Sequence, residues 1–530
     1  MDGYISLLGM MLLATSAMAG GTITVPRYAD ETKSSGVSHT YAGAWEFMVG
    51  GGVATFDCNS DGYTDMLLAG GEKPAGFYRN TSKRGGNLTF ATEKSGLEIE
   101  RVTGAYGLDI DSDGIKDVVL LRNGENLVMR GLGNCQFERA NEVWNFVGGD
   151  GWSTAFAATF EKGAGWPSLA IGNYINRREE VSPWGSCTDN WLHRPAAGSI
   201  GFATPLALTP SFCPLSMLFT DWNRSGTPSL RVSNDREYYE GGQEQLWKIL
   251  PGRAPQLYTE KEGWKFLRIW GMGIAGHDLD LDGYPEFFLT SMADQKLQTL
   301  AAPSPAETLQ PVYKDVAFAK GVTAHRPFMG DDLKPSTGWH TQFEDVNNDG
   351  RIDLFIAKGN VWEMPDFAMQ DPNNLLVQGA DGKFVEMADA AGVASVLQSR
   401  GAALEDFNMD GRIDLVVVNR NGPTEVWRND TAPDGHWIGL KLLQEGANRD
   451  GIGSWIEVKF GEKVLRREIT SGGGHASGGL GWWHFGLGAQ ATTEVRVLWP
   501  DGAAGDWQAL QSGGFYTLQK GQQPKPWDGG

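Results

Sequence analysis

The stretch DVNNDGRID, residues 345–353, places Asp345, Asn347 and Asp349 at alternate positions, turns on a glycine and ends on a further acid, Asp353. In a tight loop, side chains at positions 1, 3 and 5 converge on one point, the glycine at position 6 permits the reversal, and an acid at position 9 can bind with both oxygens. A polar hairpin turn would also contain Asp-Gly, so this stretch alone does not separate a metal loop from a simple turn.

The same pattern recurs along the chain at intervals of 52 to 67 residues. The intact copies are DCNSDGYTD (57–65, loop 1), DIDSDGIKD (109–117, loop 2), DLDLDGYPE (278–286, loop 5), DVNNDGRID (345–353, loop 6) and DFNMDGRID (406–414, loop 7). The degraded copies are EKGAGWPS (161–168, loop 3) and DWNRSGTPS (221–229, loop 4). A chance hairpin would not recur in phase with its surroundings, so the repetition favours the metal loop.

Each loop lies between segments typical of short strands. A run of small residues precedes it, as in GGGVATF and RGAALE, and an apolar run follows it, as in DMLLAGG and DLVVVNRNG. Two further short runs complete the unit, so each unit is predicted to hold four strands. Seven such units predict an all-β chain that forms a seven-bladed β-propeller, with the first strands around a central channel.

The N-terminal segment RYADETKSSGV, residues 27–37, copies the fourth strand of the sixth unit, FVEMADAAGV, residues 384–393. The last unit has three strands of its own before a different sequence begins. We therefore expect the N-terminal strand to close the ring and to remove an exposed strand edge. The predicted domains are a signal peptide at 1–19, the propeller at 20–430 and a small C-terminal β domain at 435–520.

Calcium is the cation that suits these loops best. Their candidate ligands are carboxylate and amide oxygens, and Ca²⁺ accepts about 6–8 oxygens. Loops 3 and 4 carry Gly163, Ser168, Ser225 and Ser229 at ligand positions, so we expect them to be empty or weak. About five ions are expected, which would change the formal charge from −20 to −10. The candidate metal ligands are Asp57, Asn59, Asp61, Asp65, Asp109, Asp111, Asp113, Asp117, Asp278, Asp280, Asp282, Glu286, Asp345, Asn347, Asp349, Asp353, Asp406, Asn408, Asp410 and Asp414.

The repeated loops resemble the FG-GAP or VCBS repeats of integrin-α-like propellers, over roughly residues 27–429. After them, NRDGIGS (448–454), HFGLG (484–488) and VLWPDG (497–502) resemble the ASPIC/UnbV domain. Together the two parts are similar to the cartilage acidic protein family, with His475 where an aromatic residue would be expected. The resemblance implies an exported propeller whose loops brace the blades rather than catalyse a reaction.

Export is also indicated by the N-terminal sequence and the cysteines. Residues 5–19, ISLLGMMLLATSAMA, are an apolar run that ends in a signal-peptidase pattern, and no other apolar stretch approaches 18 residues. We expect a periplasmic or extracellular protein without a transmembrane segment in the mature chain. The even count of four cysteines suggests disulfides, with Cys187–Cys213 as the preferred pair. The acidic charge disfavours nucleic acid as a partner and favours cations.

The sequence leaves two classes of function open. The first is a binding or adhesion module for a protein or glycan ligand. The second is an enzyme, a hydrolase or lyase, with its site at the propeller channel or at the ASPIC/UnbV interface. No GxSxG, HExxH or P-loop motif is present, and no catalytic residue is assigned.

Histidines and tryptophans are the remaining candidates for chemistry. His475 and His484 could approach Asn448 and its neighbours if the C-terminal domain is compact, but the simpler interpretation packs His484 at a strand end and exposes His475 in a glycine loop. His277 and His340 could face the channel. The Trp482-Trp483 pair could form a sugar platform, or fill space in the core.

Overall fold

The computed structural model describes residues 23–179, 185–236, 241–301, 309–432 and 435–529. The predicted signal peptide at 1–19 lies outside this part of the chain. The described residues are almost entirely strands and turns, with short helical segments at Trp45–Phe47, Glu260–Glu262, Ala317–Lys320 and Ala388–Ala391. None of the described helices is long and apolar enough to cross a membrane.

Antiparallel groups of strands follow the sequence repeats, and each second strand begins on position 9 of its loop or beside it. Units 1 to 4 consist of β2 (Val53–Phe56), β3 (Asp65–Leu68), β4 (Gly76–Asn80) and β5 (Phe90–Thr92); β6 (Val102–Leu108), β7 (Asp117–Gly124), β8 (Leu127–Gly131) and β9 (Phe137–Arg139); β10 (Gly151–Thr159), β11 (Ser168–Asn173), β12 (Asn190–His193) and β13 (Leu206–Leu208); and β14 (Pro214–Thr220), β15 (Ser229–Asn234), β16 (Gln245–Lys248) and β17 (Gln256–Leu257).

Units 5 to 7 repeat the same order. They consist of β18 (Gly271–His277), β19 (Glu286–Ser291), β20 (Lys296–Leu300) and β21 (Tyr313–Asp315); β22 (Gly338–Glu344), β23 (Asp353–Lys358), β24 (Asn374–Gln378) and β25 (Phe384–Glu386); and β26 (Ser399–Glu405), β27 (Asp414–Asn419) and β28 (Glu425–Asn429), which β1 (Tyr28–Asp30) joins as a fourth strand. The pairing of β1 with β28 is antiparallel and places Ala29 opposite Arg428, as the sequence predicted for this strand.

The first strand of each unit packs beside the first strand of the next, from β2 through β6, β10, β14, β18 and β22 to β26, and β26 packs beside β2. Small residues in these strands allow the close approach. Aromatic rings fill the space farther out, where Phe56 of unit 1 lies 6.0 Å from Phe137 of unit 2 between ring centroids. Each sheet within the described residues is open, and those of units 2 and 3 are joined through a short pairing of β7 with β10.

The predicted fourth strand of unit 6 is shorter than expected. Phe384–Glu386 is extended, and Ala388–Ala391 then forms one helical turn that ends at Gly392, with φ 85°. Alanine favours a helical turn, and a left-handed glycine is a common helix end. Unit 5 ends its fourth strand in the same way, at Ala317–Lys320.

The C-terminal domain is a sandwich of two sheets. Its strands are β29 (His436–Leu443), β30 (Trp455–Phe460), β31 (Lys463–Glu468), β34 (Trp483–Gly488), β35 (Thr492–Leu498), β36 (Gln508–Gln511), β37 (Gly514–Gln519) and β38 (Lys525–Trp527). The sheets have the strand orders β34-β29-β37-β38 and β31-β30-β35-β36, and the apolar side chains between them include Ile438, Val458 and Phe485. Two short strands, β32 (Ser471–Gly472) and β33 (Gly478–Leu480), leave this sandwich and pair with β10 and β2.

Two disulfides link neighbouring units. Cys187 pairs with Cys213, as expected, and joins unit 3 to the segment that enters unit 4. Cys58 pairs with Cys135 and joins loop 1 to unit 2. The pairs fit a protein exported to an oxidising compartment.

Candidate metal loops and the C-terminal domain above them

The intact loops and loop 4 share one backbone conformation. The residue at position 4 is left-handed in each, with φ between 56° and 63°. The Oδ2 atom of the position-1 aspartate accepts a hydrogen bond from the N–H of the position-6 glycine, at 2.7 to 3.1 Å, in Gly62, Gly114, Gly226, Gly283, Gly350 and Gly411. The first carboxylate of each loop therefore closes the loop through a hydrogen bond that does not require a bound ion.

The position-9 acid ties the loop to the rest of its unit. In loop 7, Asp414 accepts one hydrogen bond from the N–H of Phe407 at position 2, at 3.0 Å, and one from Asn429 on the third strand, at 2.8 Å. The same double contact is made by Asp65, Asp117 and Asp353, and by Glu286 with a threonine hydroxyl as its second donor. A carboxylate can accept about four hydrogen bonds or metal contacts, so these acids keep capacity for an ion.

Burial places these acids in an environment that disfavours their charge. It raises the pKa of Asp65 to about 7, and the pKa values of Asp117 and Asp406 to about 8, with neighbouring loop carboxylates adding to each shift. The pKa values of Asp353 and Asp414 are raised well above the usual range for the same two reasons. A divalent cation among the carboxylates would stabilise their ionised form and reverse these shifts.

Several loop oxygens are buried without a hydrogen-bond partner in the described structure. They are Oδ1 of Asp57, Asp109 and Asp278, all at position 1, Oδ1 of Asn408 at position 3 of loop 7, Oδ1 of Asn223 at position 3 of the degraded loop 4, and the Ser112 hydroxyl at position 4 of loop 2. The three aspartates are 7%, 1% and 0% exposed. Ligand oxygens of Asp109, Asp111 and Asp117 lie within 4.8 Å of one another, as do those of Asp278, Asp280 and Asp282. Buried oxygens need a partner, and a hard cation such as Ca²⁺ fits this set.

The position-1 acids of the degraded loops have hydrogen-bond partners within the protein. In loop 3, Oε1 of Glu161 accepts hydrogen bonds from the Ser168 hydroxyl at 2.7 Å and from Nε of Arg194 at 2.6 Å. In loop 4, both oxygens of Asp221 accept N–H bonds from Ser225 and Gly226 of its own loop, as the oxygens of the position-1 aspartates do in loops 6 and 7. Loop 3 has only this one acid, and Arg194 balances its charge.

The C-terminal domain lies directly on the loop face. The indole N–H of Trp482 donates to the carbonyl of Gly62 at 2.9 Å, and Nε2 of His484 lies 2.6 Å from Oδ1 of Asn348. The position-6 glycines permit this approach: a Cβ on Gly411 would lie 1.8 Å from the ring of Trp437. The Trp482 and Trp483 rings are thus partly buried interface residues, which favours the packing interpretation over a sugar platform.

One segment of the C-terminal domain enters the space between the first strands. We call residues 471–480, SGGGHASGGL, the glycine loop. It contacts the first strand of each of the seven units. The contacts are Gly472 with Ala157, Gly473 with Met217, Gly474 with Ile274, His475 with His340, Ala476 with Ala105, and Ser477 with Val53 and Gly401. Glycines are required because a Cβ on Gly478 would lie 2.4 Å from the ring of Tyr106.

The expectation of an exposed His475 is wrong. The side chain is 0% exposed, its Nε2 accepts a hydrogen bond from Gly50 at 3.2 Å, and its backbone N–H donates to Nδ1 of His340 at 3.1 Å. Burial lowers the pKa of His475 to about 3 and that of His340 to about 4, so both are neutral. The loop that carries His475 lies between the first strands of the repeat units and is not exposed to solvent.

A cavity of about 130 Å³ lies between the units and the C-terminal domain, at the interface that the enzyme alternative named. Arg467 on β31 donates to Glu344 on β22 at 2.8 Å, and Thr55 donates to Glu405 at 3.0 Å. Burial raises the pKa of Glu405 to about 8. His277 also lines the cavity, with its pKa lowered to about 3 by burial. Sequence reasoning missed the Glu344–Arg467 pair, because its members are 123 residues apart and belong to different domains.

Comparison with known proteins agrees with this division of the chain. The family model described as ASPIC and UnbV matches residues 444–525, and the FG-GAP-like repeat model matches residues 57–120 and 345–417. The chain therefore contains FG-GAP-like repeats followed by an ASPIC/UnbV domain, which confirms the resemblance inferred from the sequence.

Part of the chain is similar to proteins that share one name. Cartilage acidic protein 1 from Xenopus tropicalis is 51% identical over 184 residues, which are 34% of this chain and 26% of the relative. Cartilage acidic protein 1 from Homo sapiens is 47% identical over 115 residues, which are 22% and 14% of the two chains. The matches thus span about a quarter or less of the length of these relatives.

Two solved structures show a distant likeness to this chain. BBS1N in complex with ARL6DN has a TM-score of 0.43 and 11% identity, over 78% of this chain and 99% of the other. A lectin of Agrocybe aegerita, studied for its recognition of non-reducing terminal N-acetylglucosamine, has a TM-score of 0.31 and 16% identity, over 73% and 79% of the two chains. At these scores the likeness does not decide the fold or the ligand.

Proposed function

We propose that this protein is an exported, calcium-binding β-propeller of seven blades that acts as a binding or adhesion module for a protein or glycan. The observation that carries the calcium assignment is the set of buried position-1 oxygens without partners in loops 1, 2 and 5. Loops 6 and 7 share the same backbone and ligand types. One ion in each intact loop would offset the carboxylate repulsion that raises their pKa values.

The closed ring is supported by the order of the first strands. They pack side by side from β2 to β26, and β26 returns to β2. The pairing of β1 with β28 gives the last unit its fourth strand from the opposite end of the chain. Calcium in the loops would then brace the junctions between first and second strands, as the resemblance to FG-GAP repeats implies.

The ligand face is assigned to the end of the units opposite the metal loops, because the C-terminal domain covers the loop face. At that opposite end, Trp362 lies between β23 and β24, is 37% exposed, and has the guanidinium of Arg420 stacked 4.1 Å from its ring. Trp45 lies beside it, with ring centroids 6.4 Å apart. Aromatic rings beside a guanidinium are frequent anchors for protein and glycan ligands.

The calcium assignment is tested with Asp349→Ala. The substitution removes the position-5 ligand of loop 6 and should remove one equivalent of bound Ca²⁺, measured by metal analysis and calorimetry. Ser168→Ala in loop 3 is the matched control and should remove none. Chelation should lower the melting temperature of the wild type, since an ion at 100 times its Kd contributes about 2.7 kcal/mol per site. Equal stoichiometry in wild type and Asp349→Ala would contradict the assignment.

The binding role is tested with Trp362→Ala on immobilised glycans and extracellular-matrix proteins. Retention of the wild type should be lost in the variant, while its calcium stoichiometry stays unchanged. Retention that is equal in both proteins would place the ligand elsewhere. Retention of neither protein on any surface would remove the support for a binding module.

A further inference from the structure

The intact loops fall into two groups according to the residue at position 7. Loops 6 and 7 carry Arg351 and Arg412 there, and each guanidinium pairs with the position-5 aspartate of its own loop. Loops 1, 2 and 5 carry Tyr63, Ile115 and Tyr284 instead. Two of the five intact loops thus hold a positive charge of their own at position 7, and three do not.

The C-terminal domain places one cation on each of the three loops that lack this arginine. Nζ of Lys441, on β29, lies 3.3 Å from Oδ2 of Asp57 in loop 1. Nη1 of Arg466, on β31, lies 3.3 Å from Oδ2 of Asp278 in loop 5. In loop 2 the contact is longer, with Nε of Arg449 at 3.9 Å from Oδ2 of Asp109.

These contacts fall on the same carboxylates whose other oxygen has no partner. In Asp57, Asp109 and Asp278, Oδ2 is held by the loop glycine and approached by the cation, while Oδ1 is buried and unpartnered. The cation therefore lies beside the proposed ion without taking its ligand atom. A cleft of about 430 Å³ between loops 1 and 2 and the C-terminal domain is lined by Lys441 and Arg449.

The formal charges of the loops account for this arrangement. Loop 1 has three acids, so one Ca²⁺ and Lys441 bring it to neutrality, just as one Ca²⁺ and the position-7 arginine do in loops 6 and 7. Loop 2 has four acids and one base of its own, Lys116, which pairs with Asp450 of the C-terminal domain. It receives Arg449 together with Arg130 of its own unit, which contacts Asp111 and Asp113 at 3.2 and 3.3 Å. Loop 5 has four acids and receives Arg466, which leaves one negative charge.

We propose that the C-terminal domain supplies, through Lys441, Arg449 and Arg466, the positive charge that loops 1, 2 and 5 lack at position 7, and that it thereby sets their affinity for Ca²⁺. The inference rests on the proposed calcium function. The protein then has two classes of calcium loop. In one class the arginine at position 7 of the loop sets the affinity for Ca²⁺, and in the other a cation of the C-terminal domain does so. A cation near a Ca²⁺ ion repels it and also stabilises the metal-free carboxylates, so docking weakens calcium binding at loops 1, 2 and 5.

The test compares full-length variants after chelation and desalting, by calorimetric titration with CaCl₂. Lys441→Met keeps the length of the side chain and removes its charge. It should tighten one site by about threefold or more without changing the stoichiometry, because one repulsive charge near the ion is lost. It should also lower the melting temperature of the metal-free protein, so that the rise on adding Ca²⁺ becomes larger. Arg449→Gln provides the same measurement at loop 2.

Two further variants complete the comparison. Lys459→Met is the matched control, because Lys459 pairs with Glu494 inside the C-terminal domain, and it should leave every site unchanged. Arg351→Met should tighten one site as Lys441→Met does. Calcium binding that is unchanged or weaker in both Lys441→Met and Arg449→Gln overturns the inference while leaving the calcium function intact. A wild type that binds no calcium overturns the proposed function itself.

Discussion

One buried acid, Glu468, links the C-terminal domain to the repeat region and lies outside the repeated sequence motif. Glu468, on β31, accepts a hydrogen bond from the N–H of Asp221 at 2.6 Å and one from the Thr220 hydroxyl at 2.7 Å. Burial, together with the nearby Asp221 carboxylate, raises the pKa of Glu468 to about 8. Below that pH the protonated acid can both accept from the backbone and donate to the hydroxyl.

The raised pKa of Glu468 makes stability depend on pH in a defined direction. The folded pKa lies above the unfolded value of 4.5, so the contribution is fully present below pH 4.5 and is lost as the pH rises through about 8. Glu468→Gln mimics the protonated acid, and its melting temperature should fall less than that of the wild type between pH 6 and pH 9. Glu494→Gln, a half-exposed control whose carboxylate pairs with Lys459, should follow the wild type. Parallel curves for Glu468→Gln and wild type would contradict this.

At the scale of the element, β1 joins the first and last parts of the repeat region. Glu31, next to β1, accepts hydrogen bonds from Nε of Arg428 on β28 at 2.9 Å and from the N–H of Leu88 in unit 1 at 2.6 Å. The segment therefore bonds to unit 7 and to unit 1 at once. Without it, β28 would present an unpaired edge, which promotes strand addition between molecules.

Deletion of residues 27–37 tests this role of β1. The truncated protein should aggregate or exchange strands, and its melting temperature should fall by several degrees, because both contacts of the segment are lost. Size-exclusion chromatography with light scattering and calorimetry measure the two effects. A protein that begins at Ile23 keeps β1 and should behave as the parent does. A monomeric deletion variant of unchanged melting temperature would show that β1 does not close the ring.

At the scale of the whole molecule, the glycine loop joins the C-terminal domain to the repeat region. Its contacts reach the first strand of every unit, and other residues of the same domain contact the acids of loops 1, 2 and 5. The domain is therefore held by backbone contacts of the inserted glycine loop as well as by the side-chain contacts of its docked surface. Separation would require the first strands to release Gly472, Gly473 and Gly474 together.

A cleavable form of the protein tests this interlocking. A site-specific protease sequence inserted between residues 433 and 434 should be cut without releasing the C-terminal fragment, and both fragments should co-elute on size exclusion. Calorimetry of the cut protein should still show one cooperative transition, since the docked surfaces remain in place. If the cut protein elutes as two separate species in the absence of denaturant, the glycine loop does not hold the domain.

Local sequence determined the repeat, the strands around each loop and the ligand types, because alternation of side chains and a glycine turn act over about ten residues. It also indicated the β1 pairing and the Cys187–Cys213 disulfide. The helical turn at Ala388–Ala391 was missed, since three extended residues and one turn leave too short a pattern to read.

Only the tertiary structure decided what covers the loops. Lys441 and Asp57 are 384 residues apart, and Lys116, which pairs with Asp450, is 334 residues from its partner. No local periodicity records such pairs, because they depend on how two independently patterned domains dock. The burial of His475 has the same cause: a glycine-rich segment reads as an exposed turn until a second domain provides a narrow space that only glycines can enter.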